Sequence, residues 1–115
     1  MKNKQAPSDS LPGQYRRLCS TLANLGYISD GSVLDRSTLR HPRSGYQWTR
    51  KLARKTVTVA LSSEQFLALR QAIANRRHLQ KTIAKMERLS RQILFGTLPD
   101  THRRKSLTKR VLGLI

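Results

Sequence analysis

Residues 62–96 read SSEQFLALRQAIANRRHLQKTIAKMERLSRQILFG, and the reading of this stretch decides the fold. Ser62 is a strong N-cap residue, Gln65 completes a capping box, and Glu64 sits in the first turn, where the helix dipole favours an acid. No Pro or Gly interrupts the run until Gly96, which suits the position just past a helix end, and Pro99 follows. Leu69, Ala72, Leu79, Ile83, Met86 and Ile93 keep helical spacing, broken at Arg76. Beside them runs a second stripe of Arg70, Arg77, Lys81, Lys85, Arg88 and Arg91. A helix of this length spans roughly 50 Å, more than a compact domain of this size needs. It must therefore project, pack on another chain or lie along a ligand. Phe66 to Ile73 is expected to carry a β-hairpin, whereas Arg76 to Leu94 has no obvious partner within the chain.

Immediately upstream, residues 46–61 predict that hairpin. Tyr46, Trp48 and Leu52 alternate with Gln47, Thr49 and Lys51, and Val57, Val59 and Leu61 alternate with Thr56, Thr58 and Ala60. One face then carries Tyr46, Trp48, Leu52, Val57, Val59 and Leu61. The turn near Ala53-Arg54 lacks the usual Gly or Asn, so either Arg54 takes an unfavourable φ or the turn is longer than two residues. A lone hairpin is marginal in water and needs a helix to cover it.

The remainder is sparser. Pro12 can open a helix, Tyr15, Leu18, Leu22 and Leu25 keep helical spacing from Gln14 to Leu25, and Gly26 is the expected stop. Arg16 and Arg17 decorate its polar face. Residues 27–45 read as loop, with a brief extended segment around Val33 and Leu34 and little between Arg36 and Gly45 that can pack. The expected organisation is a disordered tail over residues 1–12, one small domain over 13–96 and a basic tail over 97–115. That last tail is either disordered or an amphipathic segment that orders on a partner. The fold class is α+β: a short N-terminal helix, a β-hairpin packed on one long amphipathic C-terminal helix, and basic flexible termini.

Composition narrows the function. The chain has 115 residues, 37% of them apolar and 5% aromatic, so its core is expected to be thin. Lys and Arg number 23 against six acids, for a net charge of +17. From Arg36 to Met86 the only acid is Glu64. Folding does not need such an imbalance, and its usual reason is a polyanion, most often nucleic acid. The single Cys19 excludes an internal disulfide and points to a reducing, cytoplasmic compartment, and as an isolated helix thiol it is expected in the core. No apolar run suits a signal peptide or a membrane span.

Four strings carry a resemblance: Gly31-Ser32-Val33-Leu34, Gly45-Tyr46-Gln47-Trp48-Thr49-Arg50-Lys51, Lys55-Thr56-Val57-Thr58 and Ala74-Asn75-Arg76-Arg77-His78-Leu79. Together they resemble a family of small uncharacterised prokaryotic proteins built as a hairpin followed by a long helix, many of which accompany transposases or other mobile elements. The resemblance spans Tyr27 to Gly96 and implies the fold and a mobile-element setting, with no activity attached. Family members often place closely spaced cysteines before the first strand. Here Ser37 to Ser44 holds none, so no metal site carries over. The family turn usually has Gly where this chain has Arg54, which adds a cation at the hairpin tip.

Chemistry is sparse. Cys19, His41, His78 and His102 are too scattered for a zinc site, and no phosphate loop, carboxylate cluster or nucleophile–base pair is recognisable. No enzyme activity, metal or cofactor is expected. The expected nucleic-acid contacts fall in three clusters: Arg40, Arg43, Arg50, Lys51, Arg54 and Lys55 around the hairpin, the helix stripe from Arg70 to Arg91, and Arg103, Arg104 and Lys105 in the tail. Tyr46 and Trp48 are candidates for stacking on bases, weighed against their use as hairpin core. DNA is favoured and RNA is possible as partner. The alternatives are an oligomerisation or transposase-binding module with a seam of Leu79, Ile83, Met86 and Ile93, and a small RNA- or ribosome-binding protein.

Overall fold

The computed structural model describes residues 10–98 and 107–115, in an α+β arrangement. In chain order it contains α1 (Leu11–Leu22), β1 (Ser32–Asp35), a 3-10 turn (Arg36–Thr38), β2 (Tyr46–Leu52), β3 (Lys55–Leu61) and α2 (Ser63–Thr97). The described residues fall into two compact units. One is Leu25–Leu79, holding the sheet and the first part of α2. The other holds residues 10–24, the rest of α2 and residues 107–115.

In the first unit the strands form one antiparallel sheet in the order β1-β2-β3. The predicted hairpin is therefore the larger part of a three-stranded sheet, and the extended segment at Val33 and Leu34 supplies the third strand. Its register is Tyr46↔Leu61, Trp48↔Val59, Arg50↔Val57 and Leu52↔Lys55, which puts the predicted apolar set on one face. Coverage of that face is uneven. Tyr46 stacks on Phe66 of α2, with ring centroids 4.5 Å apart, whereas Val59, opposite Trp48, and Leu52, beside the turn, are 42% and 51% exposed.

The hairpin turn has two residues, and both are in the left-handed region: Ala53 at φ 50° and Arg54 at φ 68°. Positive φ at both central positions is what a type I′ turn demands, since that turn matches the twist of the flanking strands. The chain meets the demand without Gly.

The segment before β1 runs along α2. Ser29 donates its backbone N–H to the Ala72 carbonyl, and Asn75 Nδ2 donates to the Tyr27 carbonyl. Ala72 and Ile73 are buried there. Gly31 then brings the backbone close to β2. It sits at φ +86°, and a Cβ on it would lie 2.5 Å from the Thr49 carbonyl oxygen and 2.6 Å from Trp48 Nε1. The segment from Arg36 to Gly45, expected to pack little, is tied down by its own backbone. Arg36 donates its N–H to Gly45, and its carbonyl accepts from Leu39 and Arg43.

α2 begins as the sequence predicts. The Ser62 hydroxyl accepts from the Gln65 N–H, and Gln65 Oε1 accepts from the Ser62 N–H, closing the capping box. It ends later than predicted. Gly96 lies inside the helix, which closes only after Leu98 donates to the Leu94 carbonyl and the Thr97 hydroxyl to that of Ile93.

In the second unit α1 opens earlier than predicted. Ser10 caps it by accepting from the Gly13 N–H, and Pro12 occupies the first turn, where a missing N–H costs nothing. It also closes earlier, at Leu22 rather than Leu25. The Ser20 and Thr21 hydroxyls donate to the carbonyls of Arg17 and Leu18, and the last N–H groups tighten to i−3 bonds. Cys19 is exposed, against the expectation of a core position. Leu89 and Thr82 are the buried residues of α2 here, at 8% and 4% exposure. Residues 107–115 form a terminal turn anchored on α2, since Arg91 Nε donates to the Leu112 carbonyl.

Two glycines test this description. Gly31→Ala should lower the urea-unfolding stability by about 2 kcal/mol or more, because a Cβ meets fixed backbone at a positive φ. Gly96→Ala should instead raise it by about 0.5 kcal/mol, since nothing lies within 4 Å and the position is helical. A C-terminal stop glycine would show the opposite sign.

Candidate nucleic-acid interface

The cations sort by whether the fold already uses them. Arg50 is used: its guanidinium pairs with Asp30 at 3.7 Å and lies over the Trp48 ring. Trp48 in turn donates its indole N–H to the Asp30 carbonyl at 3.0 Å. Tyr46 is stacked on Phe66, over whose ring the Arg70 guanidinium also lies. Both candidates for base stacking thus sit half-buried within the sheet's own packing. Arg91 is half-buried against the terminal turn. It differs in this from the rest of the stripe.

Other predicted contacts are exposed and form no ion pair with a described residue. In the first unit these are Arg40, Arg43, Lys51, Arg54, Lys55 and Arg77. The register confirms that Arg50 and Lys51 project from opposite faces and that Arg54 and Lys55 share the hairpin tip. In the second unit the exposed set is Lys81, Lys85 and Arg88. Arg103, Arg104 and Lys105 lie outside the described residues.

The second unit adds a cation that helix spacing does not reveal. Arg17 of α1 joins Lys85 and Arg88 of α2 around an open cleft of about 320 Å³, with Gln14, Leu18, Thr21 and Leu89 as its other walls. A neighbouring groove of about 410 Å³ is lined by Lys81, Ala84, Lys85, Arg88, Arg91 and Gly113. Lys85 and Arg88 stand between the two. Only the folding of α1 onto α2 brings Arg17 there, so nothing in the local sequence marks it.

This corrects the expectation that Arg76 to Leu94 lacks a partner within the chain. Between Lys81 and Arg91, α1 shares a cleft with Lys85, Arg88 and the buried Leu89, and the terminal turn meets Arg91. The predicted seam changes accordingly. Leu79, Met86 and Ile93 are half-buried, but Ile83 is 43% exposed and points away from the buried line of Thr82 and Leu89.

Among the described residues no group of His, Cys, Asp or Glu is placed to hold a metal ion, and no helix is long and apolar enough to cross a membrane. No family model, curated protein or solved structure matches the chain.

Among the described residues one titratable group is clearly perturbed. The Ser37 hydroxyl, and then its backbone N–H, donate to Asp35 Oδ1 and hold the Asp35 carboxyl below its ordinary value. The unfolded chain therefore takes up this proton first as pH falls. The contribution to stability is present above the ordinary Asp range, about pH 4, and fades as pH drops through the lower folded value. The Ser37 amide resonance should titrate with a midpoint below that of a free Asp, and Ser37→Ala should raise the Asp35 midpoint, as followed by NMR.

Proposed function

We propose that this chain is a non-enzymatic nucleic-acid-binding accessory protein, working with a mobile element and gripping the phosphate backbone with basic residues of the hairpin and of α2. The observation that carries the reading is the set of exposed cations Lys81, Lys85 and Arg88, which line adjoining grooves and form no ion pair with a described residue. Surface cations at this density normally alternate with acids that neutralise them. Here the chain as a whole holds six acids against 23 Lys and Arg. A phosphate chain supplies the missing negative charge, and its binding releases condensed counterions. The mobile-element setting rests on the resemblance of the Tyr46–Lys51 and Ala74–Leu79 strings alone.

The test is the salt dependence of binding to labelled DNA, read by fluorescence anisotropy. Affinity should fall steeply between about 50 and 200 mM salt. Replacing Arg77, Lys81, Lys85 and Arg88 with Gln should flatten the slope of log K against log salt by about 3 to 4, because each phosphate contact contributes about 0.9. Binding that is absent at about 50 mM salt, or indifferent to salt, would remove the proposal.

A further inference from the structure

β1 covers only part of the hairpin. It pairs with β2 from Tyr46 to Thr49, so the pairs Arg50↔Val57, Lys51↔Thr56 and Leu52↔Lys55 continue beyond it as a two-stranded ribbon. Three residues of strand extend about 10 Å. At its end the turn holds a cation, Arg54, in a left-handed conformation where Gly would be free of strain. The ribbon's two faces differ. One carries Arg50, Leu52, Lys55 and Val57. The other continues the line of Thr49 and Thr58 with Lys51 and Thr56. Lys51, Thr56 and Thr58 are exposed. The loop from Arg36 covers this second face only at its far end, where Arg36 Nε donates to Gln47 Oε1.

This face has hydroxyls and one cation, and no acid occurs anywhere from Arg36 to Ser63. The nearby Asp30 carboxylate is committed to Arg50.

Resting on the nucleic-acid reading above, we propose that this ribbon enters the major groove of duplex DNA, with its hydroxyl-and-lysine face towards the base edges. The dimensions agree. Two strands about 4.8 Å apart fit a groove about 12 Å wide and 8.5 Å deep, which is known to admit a two-stranded ribbon. The chemistry agrees as well. Lys51 donates to guanine O6 and N7, and the threonines offer hydroxyls to base edges and methyl groups to thymine. Arg54 and Lys55 at the tip meet phosphates. A-form RNA has a major groove too deep and narrow for side chains to read. The proposal therefore selects duplex DNA over duplex RNA and adds base contact to backbone contact.

The experiment compares short DNA and RNA duplexes of one sequence, at one salt concentration, with the full chain and with the double variant Lys51→Ala, Thr58→Val. Dimethyl sulfate footprinting reads guanine N7 in the major groove. The expected result is about tenfold or greater preference for DNA, with N7 protection, and loss of both in the double variant. An unchanged urea midpoint shows that the variant's sheet is intact. Arg54→Gly adds a second check. It relieves the turn, so its midpoint should hold or rise while its DNA affinity falls. Equal affinity for the two duplexes, absent N7 protection, or a DNA preference that survives in the double variant overturns the ribbon proposal and leaves backbone binding standing. Absence of binding to either duplex at about 50 mM salt overturns both.

Discussion

The hydrogen bond from the Trp48 indole to the Asp30 carbonyl is the contact on which the sheet depends. It forms only because Gly31 has no side chain, since the space a Cβ would fill is already taken by Trp48 and the Thr49 carbonyl. The same approach sets Ser32 opposite Thr49 and so begins β1. It also sets the Asp30 carboxylate against Arg50. One close approach therefore adds the third strand, satisfies the chain's one buried-leaning indole and neutralises a cation. Three strands with a covered face are enough for independent stability where two are not.

Charge is distributed with the same economy. Of the acids in the described residues, Asp30 pairs with Arg50, Asp35 caps the 3-10 turn, and Glu64 lies in the first turn of α2. Each is spent on local structure, leaving Glu87 as the one acid among the later residues of α2. The exposed Lys and Arg of the ribbon and of α2 therefore keep their full field. Self-repulsion is the cost, and the few buried apolar residues, Ala72 and Ile73 in one unit and Leu89 in the other, have little to set against it. Binding a polyanion would relieve that repulsion.

Local signals were the legible ones. The capping box at Ser62 and Gln65, the alternation from Tyr46 to Leu61 and the cationic tip at Arg54 all appear in the structure, because each depends on neighbours in sequence. Gly96 does not act as the expected stop: Gly is enriched just past helix ends, but it ends a helix by taking a positive φ, which sequence does not show and which Gly96 does not have. Ile83 looked like seam and Thr82 did not, although the helix turns Thr82 inward. Helical spacing alone cannot choose between adjacent positions when the inward line contains a hydroxyl. Arg17 and Arg91 show the same limit for the candidate site. One joins the cleft and the other caps the terminal turn through contacts between elements distant in the chain.

The junction at Ser62 has a mechanical side. β3 ends at Leu61 and α2 starts at Ser63, so a single residue connects them. Both its N–H and its hydroxyl are held by Gln65, and its carbonyl accepts from Phe66, on whose ring Tyr46 is stacked. No slack remains for rotation between strand and helix. The Leu61 end of the sheet and the first turn of α2 are thus joined through hydrogen-bonded backbone, with no loop between them to absorb a change in their angle.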